Sequence, residues 1–326
     1  MKKKLVTLMM LVTMVFLAAC GNGNTNENTS EPTDTKKQDK GSEPSGEEFA
    51  IGILAAESGI PIILAKEKGF FEDEGVNVAI QPFSNPMDRN VAVQAGQLDA
   101  TIGDVMTVAS FKQNGINMKI TSDISEDFKI LSSPNSGITE MNQLDGKKVS
   151  LVPNFILEYI MDEFAKKGNF SYEIVEIASF SDRFEQLLQD RIDGVVFTEP
   201  QAGLLVQQGA HLLGSSKEAG IKGGTISFTE EMIKEKPEDI KAFYRAYNKA
   251  VDYINETEAT EYSDILADYQ FPEAMSTYLT NLPYDIEHAG KIDQQQFDSI
   301  IAWTQEKGQI KNKYTYEELT DYSFIK

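Results

Sequence analysis

Glu57, Asp104 and Glu199 each fall just past a short β-rich run. A carboxylate at such a place can accept hydrogen bonds from an amine or a ring N–H, each contributing ~1.5–3 kcal/mol in a partly dry cleft. Phe155 and Tyr159 follow a further run of this kind and can stack on a flat ring, while Ser58, Ser84, Asn85 and Asn154 supply small polar groups at equivalent positions. No Arg or Lys falls at a predicted strand end; Arg89, one turn into a helix, is the nearest. Such a site favours a neutral or cationic ligand rich in N–H donors. Two bland readings stand beside this one: Ser58, Asp104 and Asn154 are also good helix caps, and Phe155 and Phe83 fit equally well in a core.

Residues for catalysis are scarce. The chain has no phosphate-binding Gly-Lys-Ser/Thr loop and no nucleophile elbow. Its two histidines, His211 and His288, sit in an apolar run and an acidic loop, far from metal-ligand spacing. Glu230-Glu231 and Glu317-Glu318 read as solvated faces. No catalytic residue, metal or cofactor is expected, and every lysine, the residue type that forms Schiff bases, sits in a polar sequence context. With 51 Asp+Glu against 30 Lys+Arg the net charge is −21, which argues against nucleic acid as a partner.

The elements that must position these groups alternate. Strands are expected at 49–54, 76–80, 99–103, 148–152, 172–177 and 193–197. Helices between them stop at Gly69, Gly96, Gly115, Gly168 and Gly209, the usual left-handed stop. Strands alternating with such helices imply βαβ units and a mainly parallel sheet. The last third is helical. Pro237-Glu238-Asp239 opens a long helix whose apolar stripe is Ile240, Phe243, Tyr244, Tyr247, Val251 and Ile254, and another helix carries Trp303. This tail is expected to wrap back over an earlier lobe.

The first residues read as a processing signal. Lys2 to Lys4 precede an apolar stretch from Leu5 to Leu17. At ~1.5 Å per residue it covers ~20 Å, short of the ~30 Å hydrocarbon core of a bilayer. It ends Leu17-Ala18-Ala19-Cys20, the single cysteine standing where a lipid-attachment motif places it. Cys20 is therefore expected to be diacylated, since two acyl chains anchor stably where one does not. Residues 1–19 are then the signal peptide. Residues 20–48 form a polar tether without a large apolar residue, too poor in hydrophobic surface to fold, and the folded unit begins near Phe49.

Several stretches in order resemble the substrate-binding lipoproteins of ABC importers, in the branch that binds thiamine-pyrimidine precursors, aliphatic sulfonates and nitrate. They are ILAKEKGFFEDEG at 63–75, AGQLDA at 95–100, ITEMNQLDGKKVSLV at 138–152, DGVV at 193–196 with TEP at 198–200, the helix from Pro237, and KGQI at 307–310. The resemblance implies a two-lobed, type II periplasmic-binding-protein-like α/β fold with two hinge crossings and the ligand in the interlobe cleft. Lobe one would cover residues 49–131 and 222–326, lobe two 132–221. It implies a monomer, lipid-anchored on the outer face of the cell membrane, that binds a small molecule and works with a permease and its ATPase. Anion-binding relatives tend to place Gly and Ser or Thr where this chain has Pro153-Asn154-Phe155. Together with the three acids, that departure leans towards an aminopyrimidine-like heterocycle. An aliphatic sulfonate or nitrate receptor is the alternative, and an exported enzyme or a sensory or adhesion lipoprotein on the same fold are the readings from other classes.

Overall fold

The computed structural model describes residues 43–325. The expected signal peptide, Cys20 and the tether as far as residue 42 lie outside the described residues.

Ten strands form two sheets of five. The first holds β1 (Glu48–Leu54), β2 (Asn77–Phe83), β3 (Ala100–Asp104), β4 (Met118–Asp123) and β10 (Gly224–Thr229), in the order β2-β1-β3-β10-β4. The second holds β5 (Lys129–Ser132), β6 (Lys147–Leu151), β7 (Tyr172–Glu176), β8 (Gly194–Phe197) and β9 (His211–Ser215), in the order β7-β6-β8-β5-β9. The two sheets share one plan. Four strands run the same way in each, and the fifth is inserted antiparallel, β10 between β3 and β4 and β5 between β8 and β9. The sheets are thus mixed rather than mainly parallel. The physical reason is the crossover: β5 and β10 are the strands through which the chain enters each sheet from the other, so they run away from the junction while the βαβ strands run towards it.

The crossings are tied to each other. Phe128 N–H donates to Ser216 Oγ at 2.9 Å and Ser216 N–H to the Phe128 carbonyl at 2.8 Å. Asp127 Oδ1 accepts from Ser215 Oγ at 2.6 Å and from Lys217 N–H at 3.1 Å. With both polar edges satisfied, the joint can lie in the interior without stranding backbone groups.

Helix Pro237–Glu256 buries its aromatic stripe against the first sheet, where Phe243 stacks on Phe71 at 5.3 Å and meets Phe228 edge-on at 5.4 Å. The tail helix Gln294–Glu306 wraps back as expected. It packs in one cluster with helices Val105–Gln113 and Ile156–Gly168, joining elements that flank both sheets. Contacts with the fold extend to residues ahead of Phe49. Ser45 N–H donates to Asp239 Oδ1 at 2.9 Å and Glu47 pairs with Lys236 at 2.7 Å, because the buried Asp239 carboxylate needs donors that its own helix does not give. Among the described residues no helix is long and apolar enough to cross a membrane.

Candidate functional site

In open α/β sheets ligands gather beyond the carboxyl ends of the strands. Here the ends of β1, β3, β6 and β8 converge on one cavity, contributing Leu54, Asp104, Val152 and Thr198. It holds about 670 Å³ of space free of protein atoms, part of it open to solvent. Its lining is largely apolar and aromatic, with Phe128, Phe155, Phe180 and Phe197 from the second sheet's side and from the crossing. Six residues bring polarity: Ser58, Arg89, Asp104, Glu126, Arg183 and Thr198.

Asp104 ends β3 and caps helix Val105–Gln113, accepting from Thr107 N–H at 2.8 Å. Its second oxygen accepts from Ile156 N–H at 3.2 Å, at the start of the helix that follows β6. This bond joins the two sheets' helices across the cleft. Burial pushes the Asp104 carboxyl upward, against the pull of Thr107 and the Arg89 guanidinium. Ser58 Oγ donates to Glu126 Oε1 at 3.2 Å. Glu126 keeps part of its surface open to the cavity, but loss of hydration, aided by nearby Glu57, pushes its carboxyl up to about 8. Phe155 completes the trio of expected residues that the structure brings together here: Ser58, Asp104 and Phe155.

The other expected residues lie elsewhere. Glu57 faces a smaller neighbouring cavity with Pro61, Tyr278 and Tyr284, and its Oε1 accepts from Asp127 N–H at 2.5 Å at the crossing. Burial pushes its carboxyl up to about 7. Glu199 is also part of the joint, with Oε1 on Lys129 Nζ at 2.5 Å and Oε2 accepting from Gly203 N–H at 2.7 Å. These two acids follow their strands in sequence, but each turns to the crossing strands, where buried donors claim it. Asn85 caps helix Pro86–Gln94, accepting from Asp88 N–H at 2.9 Å, and Ser84 beside it is exposed. Asn154 takes a left-handed φ of 70° in an exposed turn. Tyr159 is core, edge-on to Trp303 at 5.7 Å. None of these six lines the cavity at the strand ends.

Two arginines take the places that sequence reasoning gave to acids. Arg89 is buried, its Nη1 donating to the Ile102 carbonyl at 2.6 Å and its Nε and Nη2 to Asn90 Oδ1. Arg183 is buried completely under Phe180 and Phe197. Loss of hydration lowers each guanidinium to about 10, so both stay charged at neutral pH while Glu126 mostly keeps its proton. The signal that could have found them is positional. Each stands four residues after a helix cap, Asn85 or Ser179, and helical side chains lean back over the N-terminal turn. A long side chain there reaches the strand end and the cleft.

Two mixed sheets linked by two crossings, with a cavity between them at their strand ends, define the two-lobed binding-protein architecture. Solved structures share it. The alkanesulfonate-binding protein of Xanthomonas axonopodis pv. citri, bound to MOPS, superposes with a TM-score of 0.73, at 14% identity over 86% of this chain and 99% of that one. The aliphatic sulphonate binding protein of Escherichia coli gives 0.72, at 15% identity over 84% of this chain and 92% of that one. The chain belongs to the family described as NMT1/THI5 like, which matches residues 57–259. Among curated relatives, a 4-amino-5-hydroxymethyl-2-methylpyrimidine phosphate synthase of Saccharomyces cerevisiae is 29% identical over 60% of this chain and 63% of its own length. This chain thus spans less than two thirds of that yeast relative.

Proposed function

We propose that this chain is the solute-binding receptor of an ABC importer. It captures a small molecule between its lobes, residues 49–131 with 222–326 and residues 132–221, and delivers it to a membrane permease driven by an ATPase. The observation that carries the reading is the cavity itself, fed by strand ends of both sheets and flanked by two crossings about which the lobes can hinge. A protein of Bacillus subtilis named for binding aliphatic sulfonates supports it, being 26% identical over all of this chain and 96% of its own length. No turnover is part of this function. Attachment through lipidated Cys20, on the outer face of the cell membrane, would hold the receptor near its permease as a monomer.

The ligand of this reading is a small aminopyrimidine-like heterocycle. The aromatic lining offers faces for a ring, and Asp104 and Glu126 offer oxygens for its amine and ring N–H groups. The pyrimidine named in the yeast relatives has this chemistry. A second reading, an organic anion such as an aliphatic sulfonate, is favoured by Arg89 and Arg183 in the wall.

Native mass spectrometry of protein purified from rich medium, followed by calorimetry with 4-amino-5-hydroxymethyl-2-methylpyrimidine, alkanesulfonates and nitrate, tests both. One bound small molecule, released unchanged, is the expected result. Chemical conversion of the ligand, or no binding across the panel, would overturn the receptor reading.

A further inference from the structure

The second lobe buries a positive charge that no acidic side chain among the described residues pairs with. Arg183 has no surface exposure, and among the described residues it takes part in no ion pair. Its Nε and Nη2 donate to the Ile177 carbonyl at 3.1 and 2.9 Å, and its Nη1 to the Val196 carbonyl at 3.2 Å. All of these acceptors are neutral backbone groups. The guanidinium lies 4.9 Å from the centre of the Phe197 ring and 5.7 Å from that of Phe180. Burying an ionised group without a counter-charge is costly, and ring faces compensate only a small part.

The first lobe shows the compensated version. Arg89 reaches the Ile102 carbonyl much as Arg183 reaches that of Val196, but Asp104 lies near enough to favour its charged form. Asp104 stands two residues beyond Ile102. Two residues beyond Val196 stands Thr198, which brings a hydroxyl and no charge. A guanidinium has five N–H groups in a planar fork. Three are engaged with carbonyls, which leaves one on Nη1 and one on Nη2, as many as a bidentate oxyanion requires.

We propose that Arg183 determines the specificity of the cleft by binding an oxyanion carried on the ligand's ring, with the Thr198 hydroxyl as a further donor. The ligand class is then a flat aromatic or heteroaromatic acid, bearing a sulfonate, carboxylate or phosphate, with its ring among Phe155, Phe180 and Phe197. This deepens the receptor reading and rests on it. It also reconciles the two ligand chemistries above, with N–H donors facing the first lobe and the acid facing the second.

Calorimetry with matched pairs tests it: benzenesulfonate against benzenesulfonamide, benzoate against benzamide, and 4-amino-5-hydroxymethyl-2-methylpyrimidine phosphate against the free alcohol. The pair that discriminates identifies the acid. Wild-type protein should prefer the anionic member of at least one pair by ~10-fold or more. Arg183→Met should abolish that preference while leaving the neutral member within ~3-fold of wild type, and Arg183→Lys should keep part of it. Should Arg183→Met fail to fold, Thr198→Val carries the test, with an expected ~3- to 10-fold loss for the anion alone. Equal weakening of both members by Arg183→Met, or by Thr198→Val where that variant carries the test, would make their role structural and overturn the proposal. Tight wild-type binding of the neutral members alone would overturn it and leave the receptor reading standing. Failure of every pair to bind would overturn it as well, and the receptor reading would fall with it only if native mass spectrometry and the alkanesulfonate and nitrate titrations above also found no ligand.

Discussion

Arg89 and Arg183 are positional counterparts in the two lobes. Each follows its helix cap by four residues, and each donates from Nη1 to the carbonyl of the residue 13 positions further on, Ile102 or Val196, in the next strand. The shared plan of the two sheets makes this possible, since the same strand–helix–strand unit is used on both sides of the cleft. What differs is the charge set against each arginine: Asp104 stands near Arg89, whereas among the described residues no acid pairs with Arg183.

The first-lobe pair should be measurable as a coupling. Arg89→Met removes the donor to Ile102 and leaves the buried Asp104 facing an apolar side chain, an expected loss of ~2–4 kcal/mol. Asp104→Asn keeps the cap on Thr107 but removes the charge that Arg89 answers. The double variant should therefore be less damaged than the sum of the two, by ~1–2 kcal/mol in a denaturant-unfolding cycle. Strict additivity would mean that the two groups do not sense each other.

Glu199→Gln should cost stability before it costs affinity. Glu199 answers Lys129, which is otherwise left with Asp127 at 3.9 Å. Removing one partner of a buried pair typically destabilises by ~3–5 kcal/mol, and the residual Asp127 contact puts the expectation near ~3 kcal/mol. A clear drop in unfolding midpoint with ligand affinity within ~3-fold is the expected result. A loss of affinity above ~10-fold at unchanged stability would return Glu199 to the ligand site.

The fold was legible in sequence because its βαβ units announce themselves through period, caps and glycine stops. The unassigned strands β4, β5, β9 and β10 were hidden by their composition and setting. Gly224–Thr229 alternates Ser and Thr with apolar residues, and its pairing depends on a crossing that local pattern cannot show. The cleft's location was likewise readable from strand ends, whereas its charge was not. Sequence order says that Glu57 and Glu199 follow strands but not that Asp127 N–H and Lys129 draw them into the joint. It places Arg183 one turn into a helix, but the strand carbonyl that its side chain folds back to meet, that of Val196, is set by the tertiary packing.

Tyr159 tests the core assignment. It is buried edge-on against Trp303, itself held by a 2.8 Å bond from its Nε1 to Asp162 Oδ2. Tyr159→Phe should cost under ~1 kcal/mol, and Tyr159→Ala ~3–5 kcal/mol through the cavity left behind. Ligand affinity measured well below the melting temperature should stay within ~3-fold for Tyr159→Phe. A large affinity loss there would place the hydroxyl in contact with ligand.

Cys20→Ala should abolish membrane attachment. With two acyl chains the anchored form resists salt washing, whereas the variant should appear in the medium or periplasm, or stay unprocessed. Fractionation with metabolic labelling by a fatty-acid analogue reads both outcomes. Label retained in the variant would place the anchor elsewhere.

Stability should fall as pH rises through the neutral range. Lost hydration holds Glu57 near 7 and Glu126 near 8, where the unfolded chain titrates both near 4.5. Between those values the folded state binds more protons than the unfolded one, so the slope of unfolding free energy against pH is negative. The contribution of the two groups is complete below about 4.5, declines through 5 to 8 and is exhausted above the folded values. Glu74 and Glu287 act in the opposite sense, because their lysine and arginine partners hold them low. Their stabilisation is lost only as pH drops through the acid range, and solvent screening keeps it small. Maximum stability is therefore expected on the mildly acidic side of neutrality. Urea midpoints at pH 5, 6, 7 and 8 should fall in that order for the wild type. Glu57→Gln keeps an acceptor for Asp127 N–H, and Glu126→Gln keeps one for Ser58. The double variant should flatten the profile between pH 6 and 8. A wild-type midpoint that rises over this range, or a fall that persists in the double variant, would show that these carboxyls are ionised in the folded protein and that other groups set the pH response.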